Sequence, residues 1–327
     1  MRYKLPLIIL TAFILASAHL AYAQQPKKVP RIGHLATRSA PGAAEKAFLQ
    51  GLQTLGYIEG QTIAIEWRFA QEKFDRLPDL ARELVRLKVD VIVTSGGYPT
   101  VQAVKNATMT IPIVMTGVSD AVELGFVASL AHPGGNIKGI SILAPELSGK
   151  LLELAKEAIP KASRMAVLAY SSSPNWKLYF KHMDGTARSL GVQLLAFQLR
   201  GPDEIESVFD AARSKRADAL IVPSSGFLSL YRERIVELAV QSGLPAIAST
   251  RAWAEQGCLL TYGPSSAESG YRRAAVYVDK ILKGAKPAEL PVEQPMKFEL
   301  VINLKTAKRI GVIIPPNVLA RADKVIK

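Results

Sequence analysis

Small hydroxyl side chains and glycines recur where short apolar segments of the sequence end. One such segment reaches Ser95 and Gly96, and a similar segment in the second half of the chain reaches Ser224 and Ser225. Hydroxyls and glycine backbones let a ligand approach closely, and the free N–H groups of a following helix can bind a carboxylate or a phosphate. The candidate ligand-binding residues are Thr37, Ser39, Ser95, Gly96, Thr116, Ser119, Asp120, Ser172, Ser225 and Tyr262.

Each of these residues also has a purely structural interpretation. A Ser at the end of a strand is equally consistent with an ordinary helix N-cap, so the set carries more weight than any member. Asp120 is the one carboxylate in the set, and it could pair with a ligand ammonium. Trp176, Phe227 and Tyr262 could stack on an aromatic ligand, but packing within the protein is the favoured interpretation.

Residues for catalysis are poorly represented. The four histidines stand at His19, His34, His132 and His182, and the apolar surroundings of His34 favour a core position over a general base. The segment Gly139-Ile-Ser-Ile-Leu143 lacks the second glycine of a nucleophile elbow. The sequence contains no phosphate-cradling loop ending in Gly-Lys-Ser/Thr, no dinucleotide fingerprint and no paired-cysteine motif. It therefore predicts no catalytic residues, no metal site and no cofactor.

The elements that must position the candidate residues follow from alternation along the chain. Short apolar runs alternate with helical patterns from Arg31 onward, which is typical of parallel sheets covered by helices. Both halves show this order, so we predict an α/β fold of two Rossmann-like lobes with a crevice between them. Predicted strands lie near 31–36, 62–67, 90–94, 112–116, 164–169, 192–198, 217–222 and 245–248, and predicted helices near 43–55, 75–87, 99–106, 176–190, 203–213 and 228–242.

Three segments are predicted to cross between the lobes and to form a hinge. The turn at 132–136, which precedes the apolar segment 137–143, contains Pro and two Gly residues and lets the chain change direction. Further crossings are expected near 261–264 and in the Pro-rich segment 286–295. The predicted limits are 1–23 for a signal peptide, 29–140 plus 262–290 for lobe 1, and 141–261 plus 291–327 for lobe 2.

The N-terminus has the pattern of a cleaved secretory signal. Arg2 and Lys4 precede an apolar run from Leu5 to Ala18, and Ala21-Tyr22-Ala23 supplies the small residues that signal peptidase requires. A retained membrane anchor is the alternative, although the run is short for a spanning helix. The sequence therefore predicts a periplasmic protein.

Charge and cysteine content limit the partners. The net charge of the 327-residue chain is +13, but secretion and the dispersed basic residues argue against nucleic acid and favour a solvated basic surface. The single cysteine, Cys258, cannot form an intramolecular disulfide. Its position at the start of an apolar run favours a small buried hydrophobe over a reactive thiol.

Six motifs occur in order along the chain: Gly51–Gly60, Asp90–Thr94, Thr116–Asp120, Pro133–Asn136, Phe298–Ala307 and Ile314–Asp323. Together they resemble the motifs of the ABC transporter substrate-binding protein family, in particular the group that includes tryptophan-binding members. The resemblance begins near Pro30 and continues to the end of the chain. It implies a type I periplasmic-binding fold whose lobes close on a ligand, a monomer, an ABC permease as partner, and no catalysis.

The sequence thus predicts the solute-binding component of an ABC importer, which captures a small polar or zwitterionic ligand, with an amino acid as one candidate. A ligand-sensing partner of a membrane receptor would share the fold and use a different docking surface. A secreted hydrolase that uses a crevice serine is a weaker alternative, because no base accompanies the serines.

Overall fold

The computed structural model describes residues 29–142, 144–265 and 267–327. The predicted signal peptide at 1–23 lies outside the described residues. Within those three ranges, no helix combines the length and the apolar character that crossing a membrane requires. The described chain forms two α/β lobes, each built on its own sheet.

The first sheet consists of β1 (Arg31–Ala36), β2 (Ala64–Phe69), β3 (Val91–Ser95), β4 (Ile113–Ser119) and β5 (Ile137–Ile142). Its five strands are all parallel and lie in the order β2-β1-β3-β4-β5. The central strand β3 is buried along its whole length, as expected for a parallel strand with helices on both faces.

The second sheet consists of β6 (Arg164–Tyr170), β7 (Gln193–Leu199), β8 (Ala219–Val222), β9 (Ala246–Ala248), β10 (Leu260–Pro264), β11 (Phe298–Asn303) and β12 (Lys324–Ile326). The seven strands lie in the order β12-β11-β10-β9-β8-β6-β7. All pairs are parallel except β10 with β11, which run antiparallel. The predicted two lobes with parallel sheets are confirmed, and the antiparallel pair of β10 and β11 is a feature that the prediction did not include.

Helices cover both faces of each sheet. On the first sheet, apolar side chains of α1 and α10 pack on one face and those of α2 and α3 on the other; α4 and α5 cover one face of the second sheet, and α6 to α9 cover the other. The helices are α1 (Ala43–Thr54), α2 (Leu77–Arg86), α3 (Tyr98–Ala107), α4 (Ala144–Ala158), α5 (Asn175–Ser189), α6 (Ile205–Ser214), α7 (Gly226–Leu230), α8 (Arg232–Gln241), α9 (Arg251–Gln256), α10 (Ala267–Leu282), α11 (Leu304–Ile310) and α12 (Pro316–Leu319).

The structure differs from the predicted elements in three places. The segment 137–143, predicted only as part of a crossing, contains the edge strand β5 of the first sheet. The helix predicted at 228–242 is two helices, separated at Tyr231, whose backbone (φ −100°, ψ 19°) departs from helical values. The strand predicted near 62–67 begins and ends two residues later.

Three segments of chain connect the lobes, after β5, after β10 and ahead of β11. The third runs beside β5: the Ser141 N–H donates to the Glu293 carbonyl, and the Glu293 N–H donates to the Gly139 carbonyl, both at 2.9 Å. The Arg273 guanidinium also holds the Glu293 carboxylate with two 2.6 Å hydrogen bonds. Because β10 belongs to the second sheet up to Pro264, the second crossing lies slightly beyond the predicted limit at 262.

The long helix α10 packs on α1 and belongs to the first lobe. Gly51 of α1 lies so close to α10 that an added Cβ would stand 2.8 Å from the Ala275 Cβ and 3.1 Å from the Arg272 Cα. Glycine is therefore required at Gly51 by the close approach of two helix backbones. This contact fixes the end of α10 that carries Tyr271 toward the space between the lobes.

Candidate functional site

A cleft of ≈ 620 Å³ lies between the carboxyl ends of the two sheets. This volume is in the range of small-molecule sites, and the location is where open parallel sheets bind their ligands. We call this space the outer cleft. It is lined from the first lobe by Thr37, Arg38, Phe74, Gly96, Tyr98 and Ser119 and from the second lobe by Tyr170, Ser172, Ser225, Phe227 and Arg232, among others.

A second space of ≈ 360 Å³ lies toward the crossing segments, and we call it the inner pocket. The outer cleft and the inner pocket share Gly96, Gly117, Thr250 and Tyr271 as lining residues. Thr116 lines the inner pocket, and its hydroxyl donates to the Thr94 carbonyl at 2.9 Å. A ligand at the shared residues would contact both lobes.

The two lobes touch through backbone at the edge of the outer cleft. A Cβ added to Gly226 of the second lobe would stand 2.1 Å from the carbonyl oxygen of Gly96 in the first lobe. No other residue supplies one of the three atoms nearest to that Cβ. The lobes are therefore in a closed arrangement, and the absence of a side chain at Gly226 allows it.

A buried carboxylate supports the first-lobe wall of the cleft. Glu45 is fully buried, and its Oε2 accepts the Gly42 N–H at 2.8 Å and lies 3.4 Å from the Arg38 guanidinium. Its Oε1 accepts the Ser95 hydroxyl at 3.3 Å, and the Ser95 Oγ lies 2.9 Å from the Tyr271 hydroxyl. Glu45 thereby connects α1, β3 and α10, and it positions Arg38 and Tyr271 beside the cleft.

His34 lies beneath this cluster and does not line the cleft. It is fully buried, its ring centroid is 4.7 Å from that of Trp67, and its Nε2 is 4.0 Å from Glu45 Oε1. Neither ring nitrogen has a hydrogen-bond partner among the described residues. Burial lowers the pKa of His34, and Arg38 lowers it further, while Glu45 acts in the opposite direction. His34 is consequently neutral at pH 7.

We expect the buried His34 to make stability depend on pH. Its pKa is lower in the folded state than the unfolded value of about 6.5, so the unfolded chain binds the additional proton and the free energy of unfolding decreases as pH falls below that value. His34→Phe should remove this dependence and should not lower stability at pH 7, because it eliminates two buried nitrogens that lack partners. Chemical denaturation at pH 7, 6 and 5 would measure both effects.

The exposed His182 on α5 provides the matched control. His182→Gln should lose stability between pH 7 and pH 5 as the unsubstituted protein does. Parallel losses in the unsubstituted protein and in His34→Phe would instead assign the pH dependence to other groups.

An aromatic cluster closes one side of the outer cleft. The rings of Tyr170 and Phe227 in the second lobe are stacked with centroids 4.0 Å apart. Phe74 precedes α2 in the first lobe and faces the second lobe. Its ring centroid lies 5.9 Å from that of Tyr170 and 6.0 Å from that of Phe227. The cleft therefore combines an aromatic surface with small hydroxyls and backbone groups.

The structure brings some of the predicted site residues together and leaves others apart. Thr37, Gly96, Ser119, Ser172 and Ser225 line the outer cleft, although Ser225 also accepts the Leu228 N–H at 3.4 Å as an N-cap. Thr116 lines the inner pocket, and Ser95 lies buried behind the wall. A binding role for each of these residues stays a prediction.

Besides Ser95, three predicted residues lie outside both spaces. Ser39 is exposed on the surface beyond β1. Asp120 does not line the outer cleft or the inner pocket, and its Oδ1 accepts the Glu123 N–H at 3.2 Å. The ring of Tyr262 stacks on Phe298 with centroids 6.1 Å apart, which is the packing interpretation. The Asp120 carboxylate therefore stabilises a local turn through the Glu123 N–H.

Lining residues that were not among the candidates include Phe74, Tyr98, Tyr170, Arg232, Thr250 and Tyr271. Tyr170 ends a strand, so the rule that selected the hydroxyls could have included it. Arg232 and Tyr271 are on helices, where no local pattern marks them. Among the described residues no group of His, Cys, Asp and Glu side chains could hold a metal ion.

Comparisons with known proteins identify a family and relatives with the same two-lobed fold. The family described as ABC transporter substrate binding protein matches residues 37–326. A tyrosine-binding protein of Clostridioides difficile (strain R20291) is 30% identical over 287 residues, which cover 87% of this chain and 81% of that protein.

Solved structures that are similar over 91% of this chain include an L-Trp complex and a ligand-free protein. The ABC domain in complex with L-Trp from Streptococcus pneumonia is 28% identical, has a TM-score of 0.83 and is covered over 99% of its length. The ligand-free, open structure of a substrate binding protein with adhesive properties from Clostridium difficile is 26% identical, has a TM-score of 0.64 and is covered completely, at 100%.

Proposed function

Because the chain belongs to the ABC transporter substrate binding protein family, we propose that it captures a small polar or zwitterionic molecule between its lobes and delivers it to an ABC permease of the inner membrane. The outer cleft carries this proposal, since residues at the carboxyl ends of both sheets line one space of ≈ 620 Å³. A ligand held there contacts both lobes, so its binding stabilises the closed arrangement.

The closed arrangement supports ligand-driven closure as the mechanism. This chain superimposes much better on the L-Trp complex than on the ligand-free, open relative, although the sequence identities are nearly equal. The close approach of Gly226 to Gly96 is also what a closed, ligand-bound arrangement would produce. The difference between the two TM-scores is therefore consistent with a change in lobe orientation.

The ligand class follows from the relatives and from the lining of the cleft. One relative is named for tyrosine, and another was solved with L-Trp. The stacked Tyr170 and Phe227 offer an aromatic side chain an apolar surface, and the neighbouring hydroxyls and backbone groups offer hydrogen bonds. We therefore place aromatic amino acids first among the candidate ligands.

Members of the family are extracytoplasmic, associate with permeases and bind small ligands. We add that the protein is periplasmic, that residues 1–23 are removed as a signal peptide, and that it acts as a monomer without nucleic acid. The predicted lobe limits at 140, 262 and 291 belong to the same proposal, with the second limit moved to the end of β10 at Pro264. We assign no catalysis, and no histidine is among the described residues that line the outer cleft.

A thermal-shift screen of the purified mature protein tests this function. The set contains the amino acids, short peptides, nucleosides, sugars and small carboxylates, and each compound is followed for turnover during the assay. A ligand at about a hundred times its dissociation constant should raise the free energy of unfolding by about 2.7 kcal/mol. Conversion of a stabilising compound into a product would argue for an enzyme, and no stabilisation by any class would contradict the proposal.

A further inference from the structure

Two arginines face the outer cleft from opposite lobes. Arg38 follows β1 in the first lobe, and Arg232 is the first residue of α8 in the second lobe. Burial lowers the pKa of Arg232 below its ordinary value, and the positive charge of Arg38 lowers it further. Both arginines line the same cleft and carry like charges, so closure of the lobes brings two positive charges into one space.

Arg232 has no acceptor for its buried donor. Its Nε is buried and makes no hydrogen bond with any described residue. By contrast, Arg234 on the same helix pairs with both Glu206 and Glu237. A buried donor without a partner is costly, so the arrangement of Arg232 calls for an acceptor that is not part of the described chain.

The described residues around the outer cleft leave one positive charge without a partner, which a ligand with one negative charge would balance. The buried Glu45 carboxylate lies 3.4 Å from Arg38 and offsets much of that charge. No Asp or Glu is among the described residues that line the outer cleft, and the carboxylates that act on Arg232, Glu255 and Glu233, lie outside it. A monoanion would balance the remaining charge, whereas an isolated ammonium would find no carboxylate there.

We propose that the outer cleft binds a carboxylate between Arg38 and Arg232, and that this bridging anion makes closure of the lobes depend on the ligand. The inference rests on the proposed function and names the chemical class of its ligand. Planar guanidinium groups bind carboxylates with paired hydrogen bonds. With one arginine on each lobe, the carboxylate is attracted to both lobes only when they are closed.

The same arrangement keeps the ligand-free lobes apart. On closure, the Arg232 charge approaches the part of the Arg38 charge that Glu45 does not offset, which destabilises the closed state. A carboxylate converts this repulsion into two attractions, so the same residues disfavour closure without the ligand and favour it with the ligand. The stacked Tyr170 and Phe227 then contact the apolar part of the bound acid.

Calorimetry with matched ligands tests the carboxylate. L-Tyrosine and L-tryptophan are compared with tyramine and tryptamine, which lack the carboxylate, and with inorganic phosphate. The amino acids should bind at least about tenfold more tightly than the amines, and Arg232→Gln should reduce that preference to less than about threefold. Arg234→Gln, on the same helix but exposed, should retain the full preference.

Other outcomes separate this inference from the proposed function. Equal binding of the amines and the amino acids, or tighter binding of phosphate, would overturn the carboxylate assignment and leave solute binding intact. An undiminished preference in Arg232→Gln would overturn the role of the arginine.

X-ray scattering of the ligand-free protein tests the repulsion without any ligand. At low salt, the radius of gyration of the unsubstituted protein should exceed that of Arg232→Gln, and high salt should remove the difference because it screens the charges. Identical radii at low salt would overturn the proposed control of closure, even if none of the chosen ligands binds.

Discussion

Replacing Gly226 with alanine should weaken ligand binding about 100-fold, equivalent to about 2.8 kcal/mol. The new Cβ would lie 2.1 Å from the Gly96 carbonyl oxygen, whereas real Cβ atoms essentially never approach another heavy atom within 3.0 Å. The obstacle is backbone, so no rotamer change relieves it, and the lobes must separate. Hydrogen bonds that a ligand makes to both lobes lengthen accordingly and weaken steeply. Calorimetry with the ligand found in the screen measures the effect.

The substitution should leave the ligand-free protein intact, because the three nearest atoms all belong to Gly96 of the other lobe. Its melting temperature without ligand is therefore expected to stay close to that of the unsubstituted protein. Gly185→Ala on α5 is the control, since a Cβ there meets nothing within 4 Å. If Gly226→Ala kept its affinity within about threefold, ligand binding would not require the closed contact seen here.

A second large effect is expected from substitution of Gly51, which should lower the stability of the folded protein as well as ligand binding. Gly51→Leu should lower the free energy of unfolding by about 3 kcal/mol, because its side chain has no space between α1 and α10. Even the first added carbon would stand 2.8 Å from the Ala275 Cβ and 3.1 Å from the Arg272 backbone. Denaturant unfolding measures the loss. A shift of α10 would also move Tyr271 away from Ser95, so binding should weaken as well.

Two controls separate overpacking from helix propensity. Gln53→Leu introduces the same side chain at an exposed position of the same helix and should change stability by less than about 0.5 kcal/mol. Gly185→Ala should stabilise by up to about 1 kcal/mol, as expected where alanine replaces an unhindered helical glycine. A Gly51→Leu protein as stable as Gln53→Leu would show that the two helices can separate at little cost.

The alternation of apolar runs and helical patterns was sufficient to predict two lobes with parallel sheets. The details that it missed depend on contacts between distant segments. The antiparallel partner of β10 is β11, which lies beyond the whole of α10 in the chain. The break at Tyr231 is a different case, because the residues on both sides of it favour one continuous helix and nothing in their pattern marks the break.

Site residues that follow the end of a strand could be predicted from the sequence, and site residues on helices could not. Thr37, Gly96 and Ser225 follow strand ends, so the rule that ligands bind at carboxyl ends of parallel strands located them. Arg232 resembles its surface neighbours in sequence, and only the three-dimensional structure distinguishes it from Arg234. Asp120 also follows a strand, but its carboxylate serves a local turn, so the rule selects the position without fixing the role.

The contact between Gly96 and Gly226 also bears on which molecules fit. Side chains at the point of closest approach could change rotamer and adjust the gap, but backbone atoms of a strand end and a helix start cannot. The distance between the closed lobes is thus fixed by the main chain, and it sets an upper limit on ligand thickness. Variation of the lining side chains can then alter which chemical groups are accepted, while the size limit is unchanged.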